Sequence, residues 1–138
     1  MKKTYVLDAC AVIALLTEEP GYEVVAELYE QSLSGTINLI VHRITLLEIY
    51  YKIFARRGYG IAEEILQDYE NSSISIEETI NIHIFRCAGN FKAKHSMSLA
   101  DAVALATAMH HSGALVTADH KDFDRIQHEY DVDFLWIR

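Results

Sequence analysis

Acids stand at four places where the rest of the chain is mostly apolar. Asp8 ends the run TYVLD, Glu48 sits inside RITLLEIYYKIFARRG, Asp101 sits inside SLADAVALATAMHH, and Asp119 follows ALVTA with Asp122 and Asp124 close behind. Each has a plain reading by itself. Asp8 and Asp119 suit the start of a helix or turn, where a carboxylate accepts from orphan amides. Ser98-Leu99-Ala100-Asp101 fits the S-x-x-D capping box, and Asp122 and Asp124 favour the positive end of a helix. Glu48 can pair with Lys52 one turn on. Together they imply more. Two carboxylates about 4 Å apart repel by roughly 4 kcal/mol at an effective dielectric of 20, so a cluster demands protons or a cation. A hard divalent ion, Mg²⁺ or Mn²⁺, takes carboxylate and water oxygens and can orient and deprotonate a water against a phosphodiester.

Whether these acids meet depends on the elements that carry them. TYVLD (4–8), INLIV (37–41), SSISI (72–76), ALVTA (114–118) and DFLWI (133–137) read as strands. Helical patterns separate them: ACAVIALLTEE; a helix from Pro20-Gly21 to about Leu33; RITLLEIYYKIFARRG closed by Gly58; IAEEILQDYE; 77–94; SLADAVALATAMHH closed by Gly113; and about 122–130. Strands alternating with helices predict a parallel sheet, because parallel neighbours need crossovers. The expectation is one α/β domain over residues 1–138, a doubly wound parallel sheet of about five strands with helices on both faces. Ligands in such folds sit beyond the carboxyl ends of the strands where strand order reverses, and Asp8 and Asp119 are placed there. At 100° per residue Glu48 shares a helix face with Ile44 and Ala55.

Composition narrows the class. The chain has 138 residues, 51% of them hydrophobic, with 12 basic and 20 acidic side chains and a net charge of −8. That length buries a core without staples. The longest apolar run, Ala9 to Leu16, is 8 residues, too short to cross a bilayer, and Asp8 interrupts any secretory apolar region, so a cytoplasmic protein is expected. Two cysteines, Cys10 and Cys87, make neither a disulfide framework nor a zinc quartet. The acidic balance opposes wrapping of nucleic acid by the whole surface but permits a local basic rim, for which Arg43, Arg56, Arg57, Lys92 and Lys94 are candidates. Gly58-Tyr59-Gly60 follows a helix and lacks a third glycine, so it reads as a cap and turn. His83 and Cys87, one turn apart, read as core packing, and His110-His111 as a helix end favourable to the dipole. Tyr50, Tyr51, Phe54 and Tyr59 exceed what one core consumes and suggest an interface.

YVLDACAVIALLTEE, TLLEIYYKIFARRG, SLADAVALATAMHHSGALVTADHKDF and the terminal aromatic strand resemble PIN-domain ribonucleases, in particular VapC-like toxins of toxin-antitoxin pairs, over nearly the whole chain. The resemblance implies that Asp8, Glu48, Asp101 and Asp119 are catalytic acids holding Mg²⁺ or Mn²⁺, with Asp122 a further contributor. It also implies an RNA substrate, a homodimer, and a cognate antitoxin whose tail crosses the active-site groove over an apolar surface around Tyr51, Phe54, Tyr59 and Ile65. The family often has Ser or Thr two residues after its first Asp. This chain has Cys10 there, while Thr117 matches the hydroxyl two before the last acid. Three other readings stay open. A receiver-type phospho-accepting module wants paired acids after the first strand, a phosphatase with an aspartyl nucleophile wants a second Asp at position 10, and a non-catalytic RNA- or protein-binding PIN domain would lack some of the acids.

Overall fold

The computed structural model describes all 138 residues. Five parallel strands form one sheet: β1 (Thr4–Leu7), β2 (Asn38–His42), β3 (Ser75–Glu77), β4 (Ala114–Thr117) and β5 (Asp133–Trp136), in the order β3-β2-β1-β4-β5. Seven helices connect them: α1 (Ala9–Thr17), α2 (Tyr22–Leu33), α3 (Arg43–Arg57), α4 (Tyr59–Glu70), α5 (Ile82–Lys94), α6 (Leu99–His110) and α7 (His120–Glu129). The order reverses between β1 and β4, which places the switch point between the strands that precede Asp8 and Asp119. A receiver-type sheet runs 2-1-3-4-5, so that alternative does not match this topology.

The strands are apolar on both faces because helices cover both. Leu7, paired with Val41 and Val116, faces a core built with α1, α2, α3 and α4; Val6, paired with Ile40 and Leu115, faces a second core built with α5, α6 and α7. The two-residue period of each strand thus splits one hydrophobic run between two cores. Helix α6 lies in the middle of the second. Its residues from Ala102 to Ala108 are all buried, and alanine, the best helix former, lets neighbouring elements approach closely. A large-to-small change at fully buried Leu105 or Phe123 would cost about 2–5 kcal/mol. Gly21 fixes a different contact: with φ of +93°, its added Cβ would stand 2.1 Å from the Ile137 carbonyl oxygen, so only glycine lets the start of α2 pass the end of the sheet.

Several boundaries differ from the sequence reading. Residues 77–94 are not one helix: Glu77 pairs with His42 as the last residue of β3, and α5 begins only after Asn81, whose side chain accepts from the His83 and Ile84 amides. β3 is 75–77 rather than 72–76, because a three-residue edge strand is held by its partner and shows no period of its own. Helix α7 begins at His120, two residues earlier than expected, since Asp119 caps it. Strand β1 stops at Leu7, leaving Asp8 as the cap of α1. Ala55, expected on the packed face of α3, is exposed, because the buried stripe of the helix runs through Thr45, Leu46, Ile49 and Ile53 instead. His83 is exposed rather than in the core, whereas Cys87 does pack, with its thiol 3.7 Å from the Met109 sulfur.

Candidate metal centre

Helix capping is what brings the acids to one end of the sheet. Asp8 accepts from the Ala11 amide through Oδ1 at 2.8 Å and starts α1 directly after β1. Asp119 starts α7 after β4: Oδ1 accepts from the Asp122 amide at 3.0 Å, while its own amide donates to the Thr117 hydroxyl at 2.9 Å. Ser98 caps α6 by accepting from the Asp101 amide at 3.1 Å. The capping reading holds for Asp8 and Asp119, and it leaves one oxygen of each carboxylate uncommitted to the helix start, because a cap uses one of two. Asp101 spends neither on its own helix start, since the Ser98 hydroxyl does that work.

Ligand oxygens of Asp101, Asp119 and Asp122 lie within 4.8 Å of one another. Asp8 is buried beside them, 1% exposed, and its Oδ2 has no hydrogen-bond partner. Burial pushes the Asp8 carboxyl up to about 7, with the charges of Asp119 and Glu48 adding; the Thr117 hydroxyl beside it and the Ala11 amide pull the other way. Asp101 is driven well above the ordinary carboxylate range by burial first, then by a proton shared with Asp122 and by the charges of Asp8, Asp119 and Asp122. Below about pH 7 the Asp8 carboxyl is held protonated, and Asp101 keeps its proton to higher pH still, unless a cation takes the proton's place.

Glu48 comes from the interior of α3, with its side chain 13% exposed and 3.8 Å from the Lys52 ammonium. It lines, with Asp101 and Asp119, a cleft of about 450 Å³ whose wall also includes Cys10, Ser98, Lys52 and Arg56. The Cys10 thiol is held neutral, its pKa raised by burial and then by Asp8. Asp124 points elsewhere, onto His120 at 2.7 Å. Of the basic residues read from the sequence, Arg56 reaches the cleft. Arg43 is tied to Glu78 and Glu70 at 2.6 and 2.7 Å, and Lys92 donates to the Met97 carbonyl. Lys52, read from the sequence only as the partner of Glu48, also lines the cleft, and two further cations lie outside the basic rim that the sequence suggests. Lys52 follows Glu48 and precedes Arg56 at four-residue spacing, and Lys121 and Arg125, also four apart on α7, line an adjoining hollow of about 380 Å³ with Asp122. Helical periodicity around an acid was the signal that could have found them.

A divalent cation fits this donor set. Every candidate ligand is a carboxylate oxygen, the choice of Mg²⁺ and Mn²⁺ rather than softer ions. The orphaned Asp8 Oδ2 is a buried acceptor that a cation would satisfy.

A profile of the PIN domain family matches residues 5–129. Among solved structures, the fold resembles a chain of VapBC-1 from nontypeable Haemophilus influenzae, with TM-score 0.74 and 20% identity over 97% of this chain and 98% of that one. It also resembles a chain of a toxin-antitoxin complex from Klebsiella pneumoniae, with TM-score 0.69 and 19% identity over 97% and 98%. A third likeness is to Mycobacterium tuberculosis VapC20, described as a sarcin-ricin loop cleaving toxin, with TM-score 0.69 and 14% identity over 92% and 96%. Curated protein sequences give no significant match. With the family profile spanning all five acids, the chain belongs to the PIN domain family.

Proposed function

We propose that this chain is an Mg²⁺- or Mn²⁺-dependent endoribonuclease and the toxin of a toxin-antitoxin pair. The observation that carries the proposal is the convergence of Asp101, Asp119 and Asp122 with buried Asp8 and its unpaired Oδ2 at the switch point of the sheet. Asp8, Glu48, Asp101 and Asp119 are the acids assigned to the metal, with Asp122 as a further ligand. When bound there, the cation neutralises the carboxylates, activates a water and stabilises the charge of a phosphodiester under in-line attack. The chain's own residues do the rest. Backbone capping by Ala11 and Asp122 amides fixes the rotamers of Asp8 and Asp119, and Lys52 and Arg56 on one side with Lys121 and Arg125 on the other offer positive charge to an RNA backbone that must approach a net negative protein. Asp101, biased toward its protonated form before a cation arrives, releases that proton on binding, so occupancy should strengthen as pH rises.

Two partners belong to the same proposal. Leu47, Tyr51, Phe54, Tyr59 and Ile61 are exposed along α3 and α4, beside an apolar groove of about 340 Å³ lined by Ile44, Leu46, Leu47, Tyr50 and Leu66. A homodimer and a cognate antitoxin helix would bury this surface, in keeping with the toxin-antitoxin complexes the fold resembles. Light scattering at tens of micromolar tests the dimer, and a monomeric mass would refute it. The activity is tested by incubating structured RNA and the equivalent DNA with purified protein in Mg²⁺, in Mn²⁺ and in excess EDTA, beside Asp101→Asn. RNA cleavage confined to the metal-containing wild-type samples is expected. Undiminished cleavage in EDTA would overturn the mechanism, and cleavage of DNA alone would overturn the substrate.

A further inference from the structure

The His110-His111 pair is left unused by the acidic centre, and the fold gives it company. His111 Nε2 stands 3.4 Å from Glu77 Oε1, and one ring nitrogen of His110 completes a set of three ligand atoms all within 4.8 Å of one another. The three residues come from the end of β3, the last turn of α6 and the residue that caps it, so the chain crosses back on itself to assemble them. Ligands on a four-coordinate ion with bonds of about 2.0–2.1 Å sit roughly 3.3 Å apart. The Glu77–His111 pair already has that spacing, and the His110 ring nitrogen lies within 4.8 Å of both.

His110 is also held in place. Its ring stacks on His83 at 5.7 Å with planes 13° apart. Its Nε2 faces the Asn81 amide nitrogen at 3.3 Å. Asn81 has committed its oxygen to the His83 and Ile84 amides at the start of α5, so its NH₂ must donate to His110. That contact gives His110 Nε2 an acceptor lone pair, and an ion bound through Nε2 would take the place of this exposed hydrogen bond from Asn81.

From this juxtaposition of Glu77, His110 and His111 we propose a second metal site, one for a borderline transition ion of the Zn²⁺ class, with three protein ligands and an open fourth position. Two imidazoles and one carboxylate suit Zn²⁺, Ni²⁺ or Co²⁺ and disfavour Mg²⁺, which takes oxygen. Asp101 and His110 lie nine residues apart on α6, roughly 13 Å along the helix axis, so the site is separate from the carboxylate centre. An ion there ties the short edge strand to the end of the central helix and stabilises the fold by binding the native state alone. RNA hydrolysis does not depend on it.

The test uses untagged, metal-stripped full-length protein titrated with Zn²⁺ by calorimetry, in wild type, His111→Ala, Glu77→Gln and Asp101→Asn. His111 is partly exposed, so its variant should fold, which circular dichroism verifies. The expected result is an equivalent of Zn²⁺, distinct from any taken up by the carboxylate centre, that survives Asp101→Asn and loses roughly tenfold or more in affinity in His111→Ala and Glu77→Gln. Cleavage of RNA in Mg²⁺ should be unchanged in His111→Ala. Co²⁺ added to wild type gives a readout that needs no variant: strong visible absorption of a four-coordinate site is expected, whereas an oxygen-ligated six-coordinate site absorbs weakly. Identical Zn²⁺ binding in wild type and His111→Ala, complete loss of Zn²⁺ binding in Asp101→Asn, or only weak six-coordinate Co²⁺ absorption would each overturn the proposal.

Discussion

Replacing Asp8 by Asn should stabilise the metal-free protein at alkaline pH, although it removes a buried helix cap's charge. The carboxyl titrates near 7 in the fold against an ordinary value of 3.8. At about 1.36 kcal/mol per pH unit, keeping it ionised above pH 7 costs the native state about 4 kcal/mol. The sign follows from which state holds the proton. Because the folded value is raised, the stability contributed by Asp8 is fully present below pH 4 and is lost as pH climbs through the folded value near 7. Asn keeps an oxygen for the Ala11 amide, and Asn caps helices as well as Asp. Its NH₂ replaces the oxygen that has no partner and removes a charge that Asp119 and Glu48 oppose. Urea unfolding in EDTA should therefore show Asp8→Asn more stable than wild type by about 2–4 kcal/mol at pH 8, with the gap narrowing by about half or more at pH 5. Added Mg²⁺ should close the gap by stabilising wild type alone. An Asp8→Asn protein less stable than wild type at both pH values would refute the reasoning and leave Asp8 as a cap and nothing more.

Asp101→Asn should lower RNA cleavage by on the order of hundredfold or more while preserving the fold, since Ser98 rather than the Asp101 carboxylate caps α6; an unfolded variant would contradict that division of labour. Lys52→Ala and Arg56→Ala should weaken RNA binding uniformly across sequences and each reduce the slope of log affinity against log salt by about 1, measured by fluorescence anisotropy with a non-cleaving variant. Phe54→Asp, at a side chain 45% exposed, should cost antitoxin binding about 2 kcal/mol or more and leave cleavage intact; equal loss of both in soluble protein would refute an antitoxin docked on this face apart from the cleavage site. Gly21→Ala should destabilise by at least about 2 kcal/mol, read from thermal unfolding, because its Cβ meets the Ile137 carbonyl oxygen and its φ is left-handed.

The strand and helix alternation was legible because each strand carries its own apolar run and each helix its own period, and the positions of Asp8 and Asp119 followed from reading just past the strands. The role of Asp122 was harder to rank. Its nearness to Asp119 arises because it is the third residue of the helix that Asp119 caps, and it meets Asp101 only because α6 and α7 bury side chains in the same core. Asp8 and Glu48 are drawn in by the sheet and by α3 in turn, distances that no local pattern encodes. The third strand is legible as SSISI, but its bounds of 75–77 are set by pairing with β2 rather than by its own period, and the apolar spacing of 77–94 hides the cap at Asn81 that starts α5. The Glu77, His110 and His111 cluster was invisible because 34 residues separate the first from the last, and only the crossing of β3 and α6 joins them.

Crystals grown in Mn²⁺ and measured at the manganese absorption edge test the central claim most directly. An anomalous peak is expected in the cleft between β1 and β4, within about 2.5 Å of carboxylate oxygens from at least two of Asp8, Glu48, Asp101, Asp119 and Asp122, and it should vanish in Asp101→Asn. No peak at saturating Mn²⁺, or a peak that leaves these carboxylates untouched, would contradict a metal-dependent nuclease centre at this site.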